Sequence, residues 1–335
     1  MDNKKNPENP SFRVSVVIPA YNIEKYIARA IDSVLQQTHP ADEIIVIDDG
    51  STDGTAGLIK QYGSKVRYIY QKNAGLSAAR NTGIKAAQNT WIAFLDGDDE
   101  WRENYLEKQL ALLQRNRQLV WSCSNYIRCL CDENRQAPDR SPTDLQMQLA
   151  GRDFFDDYFA FVLRNQTVHP DTVIVKKEVF ATAGLFLEGL RRAEDMDMWF
   201  RIAFHWEQFG FISEPLAVYH LDRPGCLSKQ FTPAKLYCDL IERQTKYAAE
   251  LGKLDRFNPC AAKLLRGWMR SMLFEARGCD IRQIMQQFDR LLPGWYKLLM
   301  VFLTTFPRAT AAGCRLISRI VRALRLRKQL VRKPE

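Results

Sequence analysis

Along the first hundred residues, short β-branched or aromatic runs alternate with polar turns and with stretches whose apolar positions recur at helical spacing. Val14 to Ile18 (VSVVI), Glu43 to Ile47 (EIIVI), Val66 to Tyr70 and Trp91 to Leu95 (WIAFL) read as buried strands. Between them Ile27, Ile31, Val34 and Leu35 mark one face of a helix, and a further helix is predicted from Leu76 to about Ala87. Pro19 is expected to stop the first strand, and His39, Pro40 and Ala41 the first helix. Strands alternating with helices predict an α/β fold with a mostly parallel, doubly wound sheet, in which ligands bind beyond the C-terminal strand ends. Tyr21, Asp49, Asp96 and Asp98 all follow strands and so fall at that edge.

Beyond Asn116 the pattern is less regular. Strands are predicted over Leu119 to Tyr126, Thr172 to Val175 and Leu216 to His220, a polar loop over Asp132 to Asp144, and a helix over Gly151 to Leu163. From Pro233 helical periodicity runs to the end, with breaks near Asn258, Gly278 and Pro293. The implied plan is a polar leader over 1–10, an α/β domain over 11–230, a helical extension over 231–294 and a distinct tail over 295–335.

With 335 residues, 46% of them hydrophobic, the chain can bury a sizeable core. Charge changes the picture more than composition does. The net charge is +9, and from Arg308 onward nine basic residues stand against one acidic, so the remainder is almost neutral. There Leu316, Ile317, Ile320, Val321 and Leu324 share one helical face, with Arg315, Arg319, Arg322 and Arg325 opposite, after an apolar stretch from Trp295 to Phe306. A basic amphipathic segment of this kind suits an anionic membrane surface. Nucleic acid suits it less, because an ordered apolar face gains nothing on a phosphate backbone; a solvated helix docked on its own domain is the alternative. No apolar run approaches the roughly 18 residues needed to cross a bilayer. Eight cysteines lack metal-ligand spacing, and the polar, Pro-rich opening has no signal-peptide pattern. A cytoplasmic protein, peripherally associated with the inner face of the membrane, is the expectation.

Two acidic stretches carry candidate chemistry. In FLDGDDEW an apolar run ends in three carboxylates, Asp96, Asp98 and Asp99, with Gly97 between the first two. Such crowding requires compensation, by a hard divalent cation or by solvent and basic side chains around a capping turn, and both readings stand. In EDMDMW, Asp195 shares a helical face with Met198, Trp199 and Ile202. That placement fits a carboxylate with a raised pKa, and equally an acid complementing a helix N-terminus.

Five motifs, VSVVIPAYN, VIDDGSTDGT, NAGLSAARNTGI, FLDGDDEW and EDMDMWFR, occur in this order, and with them the sequence resembles the family-2 glycosyltransferases, inverting enzymes with the GT-A nucleotide-sugar fold. The resemblance spans about Val14 to Ser228. It implies a nucleoside-diphosphate sugar donor, usually UDP-linked, Mg or Mn as cofactor, and a glycan or lipid-linked acceptor in cell-surface polysaccharide assembly. Carried over by position, Pro19, Ala20 and Tyr21 frame the base, with Tyr21 stacking on it. Asp49 accepts a hydrogen bond from the base, Arg80 faces the phosphates, Asp96 sits near the ribose and Asp98 binds the cation. Asp195 is the implied general base, with Glu194 and Trp199 shaping the acceptor side. Asp99 is left supporting the turn. One departure concerns the segment before the Pro-Gly loop, Tyr219, His220, Leu221, Asp222, Arg223: the family often has Tyr-Arg-x-His there, and here the histidine stands in the usual arginine position with Asp222 where it would fall. His220 is therefore only a weak metal candidate, a packed or surface histidine being equally good. Two rivals remain: a metal-dependent nucleotidyltransferase, although no GxxxxGK[ST] loop is present, and a noncatalytic carbohydrate or membrane adaptor on the same fold.

Overall fold

The computed structural model of the chain describes residues 12–130, 135–190, 192–221 and 232–316. The leader, the start of the polar loop at 131–134, the loop from Asp222 and the basic segment beyond Leu316 lie outside the described residues. The chain divides into two compact units, one ending at Phe231 and one beginning at Thr232.

The first unit opens with β1 (Val14–Ala20), α1 (Ile27–Leu35), β2 (Glu43–Asp48), α2 (Thr55–Gln61), β3 (Arg67–Tyr70), α3 (Leu76–Ala86) and β4 (Trp91–Phe94). These are the alternating elements that the apolar pattern predicts. Pro19 does not stop β1, which continues to Ala20. The reason is positional: β1 pairs with β4 only as far as Val17, so on that side the missing N–H of Pro19 faces no partner, while its other side pairs with Ile47 of β2. Every residue of β1 and β4 is buried, as strands covered on both faces must be.

After β5 (Glu100–Trp101) and α4 (Tyr105–Arg115) comes β6 (Trp121–Leu130), then β7 (Arg135–Pro138), α5 (Pro142–Leu149), β8 (Phe154–Phe155) and α6 (Tyr158–Leu163). The helix expected over Gly151 to Leu163 is thus a short strand followed by a six-residue helix. Asp157 caps that helix, accepting from the Ala160 amide at 3.0 Å, and so resets the backbone between the two. Next are β9 (Ile174–Lys176), α7 (Val179–Ala183), α8 (Glu194–His205) and β10 (Phe209–His220). Among the described residues one sheet runs β3-β2-β1-β4-β9-β6-β10-β5, with β7 beside β6 and β8 beside β10. Pairings within β3-β2-β1-β4 and between β6 and β10 are parallel, whereas β9 runs antiparallel to both β4 and β6. The fold is α/β on a mixed sheet: β1, β2, β3, β4, β6 and β10 run one way, and β5, β7, β8 and, at the middle, β9 run the other.

The second unit contains α9 (Ala234–Glu250), α10 (Leu254–Phe274), α11 (Gly278–Gln287) and α12 (Gly294–Thr305), and its described residues 307–316 are also helical. The expected break at Asn258 is absent: α10 runs through it and through Pro259. Buried Phe257, Cys260, Ala261, Leu265, Met269 and Met272 recur at three- and four-residue intervals and supply the apolar contact that outweighs the proline.

Candidate active site

Two stitched loops lie at the C-terminal ends of β1 and β2. The Asp49 amide donates to the Ala20 carbonyl at 2.8 Å, and the Asn22 carboxamide accepts from the Thr52 amide at 2.8 Å. Pro19 and Ala20 belong to the strand itself, while Tyr21 projects with 48% of its surface exposed. Asp49 is buried, and its carboxylate accepts from Gln71 Nε2 (2.7 Å), the Ala74 amide (2.9 Å) and the Gly75 amide (2.8 Å). Gly75, at φ +93°, lets the backbone turn its N–H inward. A carboxylate has about four acceptor positions, so Asp49 retains room for one more donor.

The acidic turn after β4 is held from several directions. Gly97 sits so close to α1 and β1 that an added Cβ would lie 2.4 Å from Ile23 Cδ1 and 2.8 Å from the Pro19 carbonyl oxygen. No other residue fits there without displacing backbone, which explains the glycine between the two aspartates. The Asp98 carbonyl accepts from the Arg29 guanidinium, and the half-buried Asp98 side chain stands on the turn.

Arg80, expected towards the phosphates, is instead wholly buried and committed to two carboxylates. Its Nη2 lies 2.7 Å from Asp96 Oδ1 and its Nη1 3.0 Å from Glu194 Oε1. It also stacks over Phe186, 5.4 Å from the ring centre. Burial alone would weaken the guanidinium's hold on its proton, but Asp96 and Glu194 outweigh it and raise the pKa. Through this one side chain the acidic turn after β4 is tied to the first turn of α8, more than ninety residues later in the chain. Burial pushes Asp96 up to about 6, with Arg80 opposing and the charges of Asp171 and Asp98 adding.

The first turn of α8 carries Glu194, Asp195 and Asp197, acids that complement the helix dipole. Both sequence readings of this stretch therefore hold, because Asp195 is also raised, to about 6. Burial is the main cause and Glu194 adds; the Met196 amide at 2.7 Å, Arg80 and His169 pull it back. Trp199 does not line an acceptor surface. It is 1% exposed and packs among Trp121 and Phe186, so its role is in the core.

Beneath the turn lies a cluster that the sequence reading passes over. Asp171 Oδ1 accepts from the Asp96 amide at 2.7 Å, its carbonyl accepts from the Trp101 indole at 2.6 Å, and its Oδ2 lies 3.2 Å from His169 Nδ1. Asp99, fully buried, hydrogen-bonds to Asp171 and accepts from the His220 amide at 2.8 Å. Burial, helped by Asp171 and Asp98, raises Asp99 well above the usual carboxylate range. Burial also works against Asp171, yet His169 and the hydrogen bonds from Asp99 and the Asp96 amide hold it below its ordinary value. His169 is raised, Asp171 outweighing its burial. Asp99, Asp171 and His169 form one largely buried run of mutually shifted groups. Asp99 is thus a structural member of the site rather than an accessory of the turn. His220, the weak metal candidate, pairs with Glu100 at 3.3 Å and holds that carboxylate below its usual range.

Two donor sets could hold a cation. Asp98 offers a half-buried carboxylate with hard oxygen ligands, which fits Mg or Mn. Asp99, His169 and Asp171 present ligand atoms within 4.8 Å of one another. Within that trio His169 Nδ1 and Asp171 Oδ2 lie 3.2 Å apart. The missed signal was the run Val168-His169-Pro170-Asp171 directly before a predicted strand.

The chain was compared with known proteins. Residues 15–173 match the model of Glycosyl transferase family 2. TuaG of Bacillus subtilis (strain 168), whose name assigns it to teichuronic acid biosynthesis as a glycosyltransferase, is 31% identical over 226 residues, covering 66% of this chain and 84% of TuaG. An uncharacterized glycosyltransferase of Rickettsia prowazekii (strain Madrid E) is 31% identical over 198 residues, covering 56% of this chain and 58% of that protein. In the solved structures, S. aureus TarS 1–349 in complex with UDP-GlcNAc aligns with a TM-score of 0.67 at 19% identity, covering 89% of this chain and 88% of that one. The structural likeness establishes a shared GT-A-like fold, and the long match to TuaG, taken with the family match across the strand edge described above, establishes descent: the chain belongs to glycosyltransferase family 2 and is a glycosyltransferase.

Proposed function

We propose that the enzyme transfers a sugar from a nucleoside diphosphate, most simply UDP, to a hydroxyl of a glycan or lipid-linked acceptor in cell-surface polysaccharide assembly, with inversion and without a covalent intermediate. The observation that carries this reading is Arg80, which joins the Asp96 turn to Glu194, next to Asp195. One side of that junction suits a leaving group and the other a base. The UDP complex of TarS, on the same fold, supports the donor class, and the name of TuaG supports the polysaccharide setting.

Tyr21, half-exposed beside the Ala20–Asp49 hydrogen bond, stacks on the nucleobase, and the remaining acceptor position of Asp49 takes its N–H. Asp96, oriented by Arg80, accepts from the ribose. Asp98 would hold Mg or Mn, which when bound neutralises charge on the departing diphosphate. Asp195 takes the proton of the attacking hydroxyl. A carboxylate raised to about 6 is ionised at neutral pH yet basic enough to accept that proton. Glu194, pinned by Arg80, holds the start of α8 and hence Asp195 in place.

Asp195→Asn tests the assignment. Donor binding, followed by thermal stabilisation with UDP-sugars and Mn, is expected within about twofold of the parent, while turnover falls by at least ~10²-fold, as for a lost general base. Unchanged turnover would remove Asp195 from the role.

A further inference from the structure

The second unit carries a surface that the transferase chemistry does not use. In α12, Tyr296, Met300 and Thr304 are spaced four apart and buried, and the Tyr296 hydroxyl donates to the Arg266 carbonyl at 3.1 Å. On the opposite side Trp295, Leu298, Leu299 and Phe302, at i, i+3, i+4 and i+7, are 64%, 73%, 42% and 76% exposed. Phe306, which ends the helix, is also exposed, at 72%. A helix on a water-soluble surface turns polar residues outward; this one is apolar on both sides, and its outward side is made of its largest side chains.

The charge around the face is one-sided. After Asp289 no acidic residue occurs until Glu335, whereas eleven basic residues do, so this stretch holds +10 and the rest of the chain −1. Arg290, Arg308 and Arg315 are exposed among the described residues. An occupant must therefore offer apolar surface and negative charge together. A second copy of the chain would bring two such positive surfaces face to face, which like-charge repulsion disfavours. Nucleic acid would satisfy the charge and leave the aromatic face in water. Acyl chains beneath phosphate headgroups satisfy both, and Trp295 at the helix start is the residue type that settles at that boundary.

We propose that the outward face of α12, with the basic residues around and after it, docks on an anionic phospholipid surface. The helix lies in the interface plane. Its twelve residues span about 18 Å, short of the ~30 Å hydrocarbon core, and no described helix is long and apolar enough to cross a membrane. Acyl burial of Leu298 and Phe302 supplies the grip, and basic residues near the surface each add on the order of fivefold in partitioning. The proposal does not rest on the assignment of Asp98 or Asp195, and it places a transferase whose acceptor is lipid-linked beside its acceptor.

The test is co-sedimentation of the full chain with vesicles of phosphatidylcholine alone and of phosphatidylcholine with a third phosphatidylglycerol, for the parent, for Leu298→Ser/Phe302→Ser and for Arg308→Glu/Arg315→Glu. Expected are binding to the anionic vesicles only, a loss of at least ~10-fold in the serine variant, a comparable loss in the glutamate variant, and weakening by salt. Circular dichroism melting and UDP release with soluble acceptor should match the parent in the serine variant, since both side chains already face solvent. Three results overturn the proposal: vesicle binding equal between parent and serine variant, equal binding to neutral and anionic vesicles, or a parent that ignores vesicles and self-associates in light scattering through this face. Tighter binding after removal of residues 317–335 would also overturn it, by showing that the chain's own tail occupies the face.

Discussion

Replacing Arg80 by Met removes the cation between two carboxylates while keeping most of the buried volume. Asp96 and Glu194 retain 22% and 10% side-chain exposure, so solvent reaches each only partly, and neither has another cation within ion-pair distance among the described residues. Breaking a buried pair by deleting one partner costs about 3–5 kcal/mol, and the residual exposure of Asp96 argues for the lower end, about 3 kcal/mol. Arg80→Lys keeps the charge but cannot fork to both acids, and about half that loss is expected. The chemistry should suffer separately. Arg80 pulls the pKa of Asp195 down, so without it the acid limb of kcat/KM moves to higher pH, and loosening the turn from α8 costs about 10²-fold in turnover. Urea unfolding and a continuous UDP-release assay across pH measure both effects. Adding Glu194→Gln to the Met variant should recover part of the stability, because one of the facing charges is gone. A Met variant with parental urea midpoint, parental turnover and an unmoved acid limb would refute the reasoning.

Two further outcomes concern the same acids and the cation. Asp195 and Asp96 have folded pKa values of about 6 against 3.8 for the free side chain, so the stability they contribute is present below about pH 4 and is lost as pH rises through 6. Hence Asp195→Asn should raise the melting temperature at pH 7.5 while abolishing turnover, and in the parent kcat/KM should fall as pH drops through about 6; a melting temperature lowered by the substitution would contradict the shift. Chelator should suppress UDP release, Mn or Mg should restore it, and Asp98→Asn should raise the metal concentration needed at least ~10-fold; full activity in chelator would count against a cation at Asp98.

The alternating half of the fold was legible because each buried strand is a continuous apolar run and each helix has one apolar face. Pro19 misled because the cost of a proline depends on whether a neighbouring strand needs its N–H, and that is a fact of pairing. The site was legible where a motif names the residue and illegible where function depends on what lies across from it. The motifs put Asp49 and Asp96 just after β2 and β4, Asp98 on the same turn as Asp96, and Asp195 in the first turn of α8. Arg80 was found but given the wrong partner, since a basic residue near phosphates and one buried between carboxylates look the same in sequence. The resemblance implies an acceptor-side Trp199, whereas the residue is buried in the core, because a motif carries a position without saying what covers it. His169 and Asp171 escaped because neither sits in one of the five motifs, and their chemistry arises only from meeting Asp99 and the Asp96 amide.

The reversed direction of β9 explains how they meet. In a parallel sheet only residues leaving a strand arrive at the ligand edge, so each strand contributes once, from its downstream end. A strand inserted the other way delivers the residues that enter it, and here those are His169 and Asp171, the second set against the exit of β4 and the first against Tyr126 within β6. The connection from Leu163 to His169 thereby sets where Asp171 meets the turn after β4. A change in this connection would therefore be felt at the Asp96 turn through the Asp171 hydrogen bond, with the motifs themselves unaltered.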